Sequence, residues 1–213
     1  MKPDILESKS FPLDALVSKP FYDDGKIQIW NADCWAILPQ LKEEPNIIIT
    51  DPPYPDYYED EYNYYDGIIN PLMTFLCRQL VFWSSKVEFP LPYTAIHIWD
   101  KMYGVASEYE RIFEINGNKQ YKVFTYNSLS NEVSASMARD NYTGHKSQKP
   151  IKLMMDLVKN FSKKNDLILD PFMGSGSTLL AAKKLGRRGI GIEQNIKWCE
   201  VAVKRLDQFE LFD

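Results

Sequence analysis

Three short apolar runs, with helical patterns between and after them, place the strongest constraint on what this chain can fold into. "NIIIT" (46–50), "DLILD" (166–170) and "GIGIE" (189–193) have the length and character of strands buried on both faces of a sheet. Helical patterns occupy residues 151–161 and 178–186, with short connections to the strands. This alternation predicts an α/β domain with a mostly parallel sheet.

Other stretches add elements to this sheet. "KIQIWNAD" (26–33) predicts a further strand, followed by a short helix. A proline at a helix-start position, followed by an apolar stripe, predicts a helix over residues 70–82. Asn116-Gly117 between two alternating runs predicts a hairpin over residues 111–126. We therefore expect an antiparallel hairpin at one edge of the sheet.

Composition limits the function classes. The chain is 45% hydrophobic, and its net charge of −4 argues against a general nucleic-acid-coating protein. Three scattered cysteines predict reduced thiols, and two histidines argue against a His-based zinc site, so we expect no metal. No signal peptide or membrane-length apolar run is seen, which predicts a cytoplasmic protein without a membrane partner.

The segment "DPFMGSGST" (170–178) lies between a predicted strand and a predicted helix, where an open α/β sheet binds its ligand. It lacks the lysine of a phosphate loop, and Asp170 would repel a polyphosphate but suit an ammonium group. Glu193 follows about 20 residues later, the offset at which an acid binds a ribose hydroxyl pair. S-adenosylmethionine has the ribose, the cationic amine and no phosphate. The alternative is a tight turn with a strand-end acid and no ligand.

Together, "DPPY" (51–54) and "DPFMGSGST" resemble the amino-methyltransferases, which methylate exocyclic amines of bases in DNA and some RNA. In that family they are the catalytic and cofactor motifs. "GHKSQKP" (144–150) resembles the motif that precedes the cofactor strand in the β class, which also places the catalytic motif first. The resemblance spans residues 26–206. It implies a single Rossmann-like methyltransferase domain whose chain order is a circular permutation of the usual one.

The resemblance also implies roles for individual residues. The catalytic residues would be Asp51, Pro52, Pro53 and Tyr54. The cofactor-binding residues fall into four groups: Asp33 with Cys34 and Phe172 at the adenine; Gly174, Ser175, Gly176, Ser177 and Thr178 along the methionine portion; His145, Ser147 and Lys149 near the methionine carboxylate; Asp170 and Glu193 at strand ends. The sequence departs from the motif at Lys146, where proline is usual.

In this reading, the catalytic motif activates a poor nucleophile, an amine whose lone pair is delocalised into the base. Asp51 and the Pro52 carbonyl would each accept one N–H of the amine, with the prolines holding that carbonyl in place. The base must be flipped out of a duplex, and Tyr54 offers a ring on which it can stack. The tyrosines that follow, up to Tyr65, either wall the base pocket or form a packed surface loop.

Several substrates and partners remain open at this point. Adenine N6 in DNA is the leading target, because enzymes that methylate cytosine N4 more often carry Ser at position 51. The alternatives are cytosine N4, adenine in RNA, and a non-catalytic cofactor-binding subunit, against which the complete motifs argue. We expect an N-terminal arm (1–25), a catalytic domain (26–213) without a separate recognition domain, a polar mobile loop (127–144), and either a homodimer or a heteromeric partner. The resemblance suggests a bacterial or phage source and a restriction–modification role.

Overall fold

A computed structural model of the chain describes residues 19–55, 67–102, 109–126, 143–145 and 147–210, with side chains up to residue 208. Three sequence-based expectations therefore lie wholly or largely outside the described residues. They concern the N-terminal arm before residue 19, the tyrosine-rich stretch 56–66 and the polar loop 127–142. The last part of the expected arm is described, and it forms the first strand.

The described residues form one sheet of nine strands. In chain order these are β1 (Tyr22–Asp23), β2 (Ile27–Asn31), β3 (Ile47–Thr50), β4 (Arg78–Trp83), β5 (Ala95–Asp100), β6 (Tyr109–Ile115), β7 (Val123–Thr125), β8 (Leu167–Asp170) and β9 (Arg188–Glu193). Across the sheet the order is β1-β2-β9-β8-β3-β4-β6-β5-β7. The run from β2 to β4 is parallel, whereas β6 is antiparallel to both of its neighbours. The predicted α/β fold with a mostly parallel sheet is confirmed.

Helices cover both faces of the sheet. They are α1 (Cys34–Ile37), α2 (Ile151–Phe161), α3 (Ser177–Lys184) and α4 (Ile196–Glu210), and two 3-10 helices span Leu38–Gln40 and Asn70–Thr74. Because successive residues of a strand face opposite ways, Ile47 and Ile49 pack with α2, α3 and α4, while Ile48 packs on the α1 side. Burial on both faces explains why the strands are continuously apolar. None of the helices in the described ranges is long and apolar enough to cross a membrane.

The predicted helix over residues 70–82 is wrong. Its beginning, 70–74, is a 3-10 helix, but Arg78–Trp83 is β4, paired with β3 on one side and β6 on the other. Val81 and Phe82 are both fully buried although they face opposite sides of the sheet. The run 80–83 is apolar at every position, and a short run of this kind fits a buried helix and a buried strand equally well, so the pattern could not decide between them.

The predicted hairpin over residues 111–126 is also wrong, although the chain does turn there, with Asn116 at φ 56°. β6 pairs with β4 along one edge and with β5 along the other. No edge of β6 is left for β7, which instead lies parallel to β5 on the outer side. The antiparallel pairs of this part of the sheet are therefore β4–β6 and β5–β6.

The course of the chain creates a crevice at the centre of the sheet. From β8 the chain moves outward through α3 to β9, whereas from β3 it moves in the opposite direction to β4. Such a switch point between β8 and β3 is where open α/β sheets bind ligands. The strands end there in Asp170 and are followed there by Asp51. α4 packs against β2 and β9, as the predicted permutation requires, because a link from α4 to β2 would then be short.

Candidate active site

The crevice opens into one cavity of about 620 Å³ to which both sequence motifs contribute. Sixteen of the seventeen predicted site residues line it, from Asp33 on one side to Glu193 on the other. The exception is Gly176, which lies behind the turn against Ala202 of α4. The structure thus brings together groups that are up to 160 residues apart in the sequence.

The glycine turn after β8 needs glycine at two positions. Gly174 and Gly176 have positive φ angles of 50° and 77°, a backbone region that disfavours larger residues. A Cβ on Gly174 would lie 3.0 Å from Nε2 of His145, and one on Gly176 would lie 2.7 Å from Cβ of Ala202. The turn therefore packs directly on the 143–150 segment in front and on α4 behind.

A buried arginine of α4 supports the same turn from below. Nη1 of Arg205 donates to the Ser175 carbonyl at 2.6 Å and to the Ser175 and Ser177 hydroxyl oxygens at 3.2 Å each. Burial lowers the pKa of Arg205 to about 10, so it is still protonated at neutral pH. Its contacts hold the turn in shape without adding a charged side chain to the cavity lining.

Glu193 is anchored by backbone groups at the end of β9. Its Oε2 accepts a hydrogen bond from Gly174 N at 3.1 Å, and its Oε1 accepts one from Asn195 N at 2.8 Å. Burial raises the pKa of Glu193, and these backbone donors oppose that rise. A carboxylate oxygen can accept two hydrogen bonds, so each oxygen still has capacity for a ribose hydroxyl.

Asp170 is held by neutral donors. Its Oδ1 accepts hydrogen bonds from the Thr50 hydroxyl at 2.7 Å and from Phe172 N at 3.2 Å. Burial raises the pKa of Asp170 to about 6, and hydrogen bonds from the Thr178 and Thr50 hydroxyls oppose the rise. The residue ties β8 to β3 and fixes the start of the glycine turn.

The predicted adenine end of the cavity lies at the start of α1. Asp33 caps this short helix, since its Oδ1 accepts a hydrogen bond from Trp35 N at 2.9 Å. Cys34 is buried beside it, and burial raises the pKa of its thiol to about 12, so it remains a neutral wall group. Phe172 lies partly buried in the same wall.

Asp51 has one occupied oxygen and one without a partner. Nζ of Lys149 lies 2.5 Å from Asp51 Oδ2, whereas Oδ1 is buried and finds no hydrogen-bond partner among the described residues. Lys149 is also 3.2 Å from Oε2 of Glu110, whose Oε1 is 2.7 Å from Nζ of Lys101. Burial is the largest cause of the raised pKa of Asp51, which is about 6 after the lowering by Lys149 and the smaller raising by Glu110.

The segment 143–150 connects the two motifs. The ring of His145 packs edge-on against that of Trp198 of α4, with 4.4 Å between the ring centres. Its Nδ1 accepts a hydrogen bond from Ser147 N at 3.3 Å. Four residues further on, Lys149 reaches Asp51. The sequence prediction placed Lys149 with His145 and Ser147 near the cofactor carboxylate, whereas the structure places its ammonium group against the catalytic motif.

Tyr54 is more enclosed than a stacking platform requires. Its side chain is 5% exposed, and its ring lies 5.6 Å from that of Trp83, tilted by 58°. It nevertheless contributes to the cavity lining. One side of the ring is therefore supported by protein, which would hold it in place for a base approaching from the cavity.

Sequence reasoning missed several supporting residues. Thr50 could have been found, because it is the polar end of an otherwise apolar strand and directly precedes "DPPY". Glu110, Trp198 and Arg205 gave no such signal, since each contacts a residue far away in the sequence. Lys101 belongs to the same set only through its contact with Glu110.

The charge of the cavity restricts its ligand. Four acids, Asp33, Asp51, Asp170 and Glu193, face a single basic side chain, Lys149, among the described lining residues. A polyphosphate would be repelled there, whereas a ligand with a positive charge would be stabilised. Within the described ranges no cluster of three or more His, Cys, Asp or Glu side chains could hold a metal ion.

The chain is similar in sequence to DNA methyltransferases. A family model for N6 and N4 methyltransferases, described as DNA methylase, matches residues 78–204. The type II methyltransferase M.HinfI of Haemophilus influenzae is 36% identical over 102 residues, which is 48% of this chain and 28% of that protein. M2.DpnII of Streptococcus pneumoniae is 38% identical over 99 residues, 46% of this chain and 35% of that protein. The matched part is thus about a third of the length of these relatives.

The chain is also similar to solved structures of methyltransferases. The crystal structure of an M1.HpyAVI–SAM complex is 26% identical, with a TM-score of 0.59, and the match covers 85% of this chain and 99% of that one. The cytosine-N4-specific PvuII DNA methyltransferase has a TM-score of 0.66 over 88% of both chains. It is 15% identical, and at this level the likeness shows a shared fold alone.

Proposed function

Because the family model matches more than half of its length, this chain belongs to the N6/N4 DNA methylase family, and we propose that it methylates the exocyclic N6 amine of adenine in DNA. The observation that carries the choice of an exocyclic amine is the arrangement of Asp51, and the choice of adenine rests on Asp at position 51, where enzymes that methylate cytosine N4 more often carry Ser. Asp51 Oδ1 is a buried acceptor without a partner among the described residues, and it belongs to the same cavity as the glycine turn. An amine N–H would supply the missing donor.

S-adenosylmethionine is the cofactor, and the cavity suits it in size and charge. About 620 Å³ falls within the range of small-molecule sites, roughly 300–1,000 Å³, and the acidic lining suits a sulfonium ion. When bound, the cofactor supplies an electrophilic methyl group. We assign Asp33, Phe172 and Glu193 to its adenosine portion, and the glycine turn with His145 to its methionine portion.

The chain's own residues align the nucleophile. Asp51 Oδ1 accepts one N–H of the target amine and the Pro52 carbonyl accepts the other, which favours a pyramidal nitrogen with a free lone pair. The two prolines fix the backbone, so this geometry exists before the substrate arrives. Tyr54, supported by Trp83, stacks on the flipped base.

The function is tested with isotopically labelled S-adenosylmethionine and a mixture of DNA and RNA, followed by identification of the labelled nucleoside. We expect N6-methyldeoxyadenosine, and no label with the Asp51→Ala variant. Label in N4-methyldeoxycytidine would show that the target is cytosine N4, and label only in RNA would show that the substrate is RNA. Cofactor binding without any transfer would favour a non-catalytic subunit.

We further propose that the chain reads a short or relaxed sequence and acts as a dimer or with a partner protein. Between the two motifs, β4 to β7 are all built into the central sheet and form no separate domain. Each bidentate base contact supplies only about 1–3 kcal/mol of discrimination, so two or three contacts specify few base pairs. Sequencing of methylated positions in treated DNA tests this, and a strict site of about six base pairs read by a monomer would contradict it.

A further inference from the structure

We propose that Lys149 is a positioning residue for methyl transfer: it holds one oxygen of Asp51 and thereby aims the other at the target amine. The proposal rests on the proposed function. It assigns to Lys149 a task different from the contact with the cofactor carboxylate that the family resemblance implies.

The geometry of four charged side chains carries the inference. Asp51, Lys149, Glu110 and Lys101 form a row of alternating charge, with N–O distances of 2.5, 3.2 and 2.7 Å along it. Their side chains are between 7% and 19% exposed, so the row lies mostly out of water. Two positive and two negative charges cancel, which makes a buried set of this kind tolerable.

Two aromatic rings confine the ammonium group of Lys149. Its Nζ lies 4.9 Å from the ring centre of Phe82 and 5.9 Å from that of Trp99. The two rings meet edge-to-face at 6.4 Å. Pro150 follows directly and precedes the first residue of α2, so the backbone next to Lys149 is also fixed. The lysine therefore provides a rigid support for Asp51.

A fixed Oδ2 determines where Oδ1 lies. A carboxylate turns about one bond, and a short charge-assisted contact at Oδ2 restricts that rotation. Oδ1 is then held as a buried acceptor without a partner among the described residues, which is unfavourable until a donor arrives. The amine of a flipped base has such a donor.

The same contact keeps Asp51 ionised. Charged groups face it from the 147–150 segment (Lys149), from β6 (Glu110), from the residue after β5 (Lys101) and from β8 (Asp170). Burial and, to a smaller extent, Glu110 raise the pKa of Asp51, the two lysines lower it, and together they leave it at about 6. Removal of the Lys149 ammonium group should raise the pKa of Asp51 further, and a protonated carboxyl group is a weaker acceptor for the amine N–H than a carboxylate.

The test uses Lys149→Met, which keeps the length of the side chain but not its charge, and Glu110→Gln. A matched control is Lys183→Met, because Lys183 forms a 2.6 Å pair with Asp24 that lies outside the cavity lining. The pKa of Asp51 is measured in the ligand-free protein by ¹³C NMR of labelled aspartate, with the Asp51 signal assigned from Asp51→Asn. Calorimetry gives the affinity for S-adenosylmethionine, and single-turnover assays give the transfer rate against pH.

We expect Lys149→Met to raise the pKa of Asp51 by about one to three pH units and Glu110→Gln to lower it. The transfer rate of Lys149→Met should fall at least tenfold at pH 7, with partial recovery at about pH 9 as Asp51 ionises. Cofactor affinity should change less than about threefold, since the lysine acts on Asp51. The double variant should be faster at pH 7 than Lys149→Met alone, and Lys183→Met should match the parent protein.

Two results would overturn the assignment. Loss of cofactor affinity with an unchanged pKa of Asp51 would make Lys149 a cofactor ligand, and no change in either would make it a purely structural residue. If Lys149→Met does not fold, Glu110→Gln decides, because an unchanged pKa of Asp51 in that variant refutes the charge row. The NMR titration needs no methylation, so failure of the proposed function is seen separately, as absence of label from every nucleic acid.

Discussion

Asp51 and Asp170 stand at the same ends of two neighbouring parallel strands, but their carboxyl groups are held in opposite ways. Asp170 accepts hydrogen bonds from neutral donors, the Thr50 hydroxyl and Phe172 N. Asp51 is held by the ammonium group of Lys149, and its second oxygen has no partner among the described residues. Burial raises the pKa of both acids to about 6.

Equal pKa values therefore conceal different tasks. Neutral donors bind Asp170 into the scaffold, where it joins two strands and fixes a turn. A charged partner on one side leaves Asp51 with acceptor capacity on the other, which a substrate can use. Burial and a raised pKa mark a carboxyl group as unusual, but the completeness of its hydrogen bonding indicates whether it is structural or reactive.

The largest expected effect is a difference in methyl-transfer rate between variants of Asp51 and of Asp170. Asp51→Asn should reduce methyl transfer at least about 100-fold, because Lys149 binds the amide oxygen and the NH2 group, which is a donor, then faces the reacting amine. Asp170→Asn should reduce it less than about tenfold at saturating cofactor, since an amide can replace its neutral contacts. Single-turnover assays measure both, with thermal melting as the control for folding. Equal losses of transfer rate in the two variants would show that Asp51 and Asp170 do not differ in this way.

A second prediction concerns pH. Transfer requires the Asp51 carboxylate, so the rate should fall as the pH drops through about 6, approaching tenfold per pH unit below that value. Asp170→Asn should keep this titration and move its midpoint only slightly downward, because it removes one like charge that faces Asp51. Rates measured between pH 5 and about 9 check this, and loss of the titration in Asp170→Asn would reassign the titrating group.

A third prediction concerns stability. Because folding raises the pKa of Asp170 from 3.8 to about 6, the folded state binds a proton more tightly, and stability is lost as the pH rises through this window. Asp170→Asn should therefore stabilise the protein by roughly 1–3 kcal/mol at pH 8, and the gain should disappear near pH 4. Denaturant titrations at both pH values measure it. A gain that did not depend on pH would have another origin.

The smallest effect is expected at the contact between the two strands. Thr50→Val removes the hydroxyl that donates to Asp170 and should cost about 1 kcal/mol of unfolding free energy. It should also raise the pKa of Asp170, since that hydrogen bond favours the carboxylate. Thr50→Ser retains the hydroxyl and serves as the control. The same loss of unfolding free energy in both variants would show that packing, and not the hydrogen bond, is the cause.

The half of the sheet to which we assign the cofactor was predictable from sequence, and the other half was not. β3, β8 and β9 are short, apolar and each followed or ended by an acid, so local pattern alone located the turn, Asp170 and Glu193. The last four residues of β4, 80–83, are apolar at every position, and β7 lies beside β5 because β4 and β5 occupy both edges of β6. Those outcomes depend on pairing between distant segments.

The candidate site was likewise predictable only in part. The motifs identified the residues that line the cavity, but not the partners of Asp51. Lys149 lies 98 residues away from it, and Glu110, which contacts Lys149, is brought there by β6, which lies beside β4. A single sequence contains no signal for such contacts, and the charge row became visible only with the fold.

The confinement of Lys149 also affects conformational entropy. A lysine free in solution samples many rotamers, and ordering it costs up to roughly 2 kcal/mol. Here the two carboxylates and two rings around Nζ restrict those rotamers in the folded protein. The loss of freedom takes place once, when the chain folds, and does not recur in each catalytic cycle. In the proposed reaction, ordering this side chain would therefore add nothing to the barrier to methyl transfer.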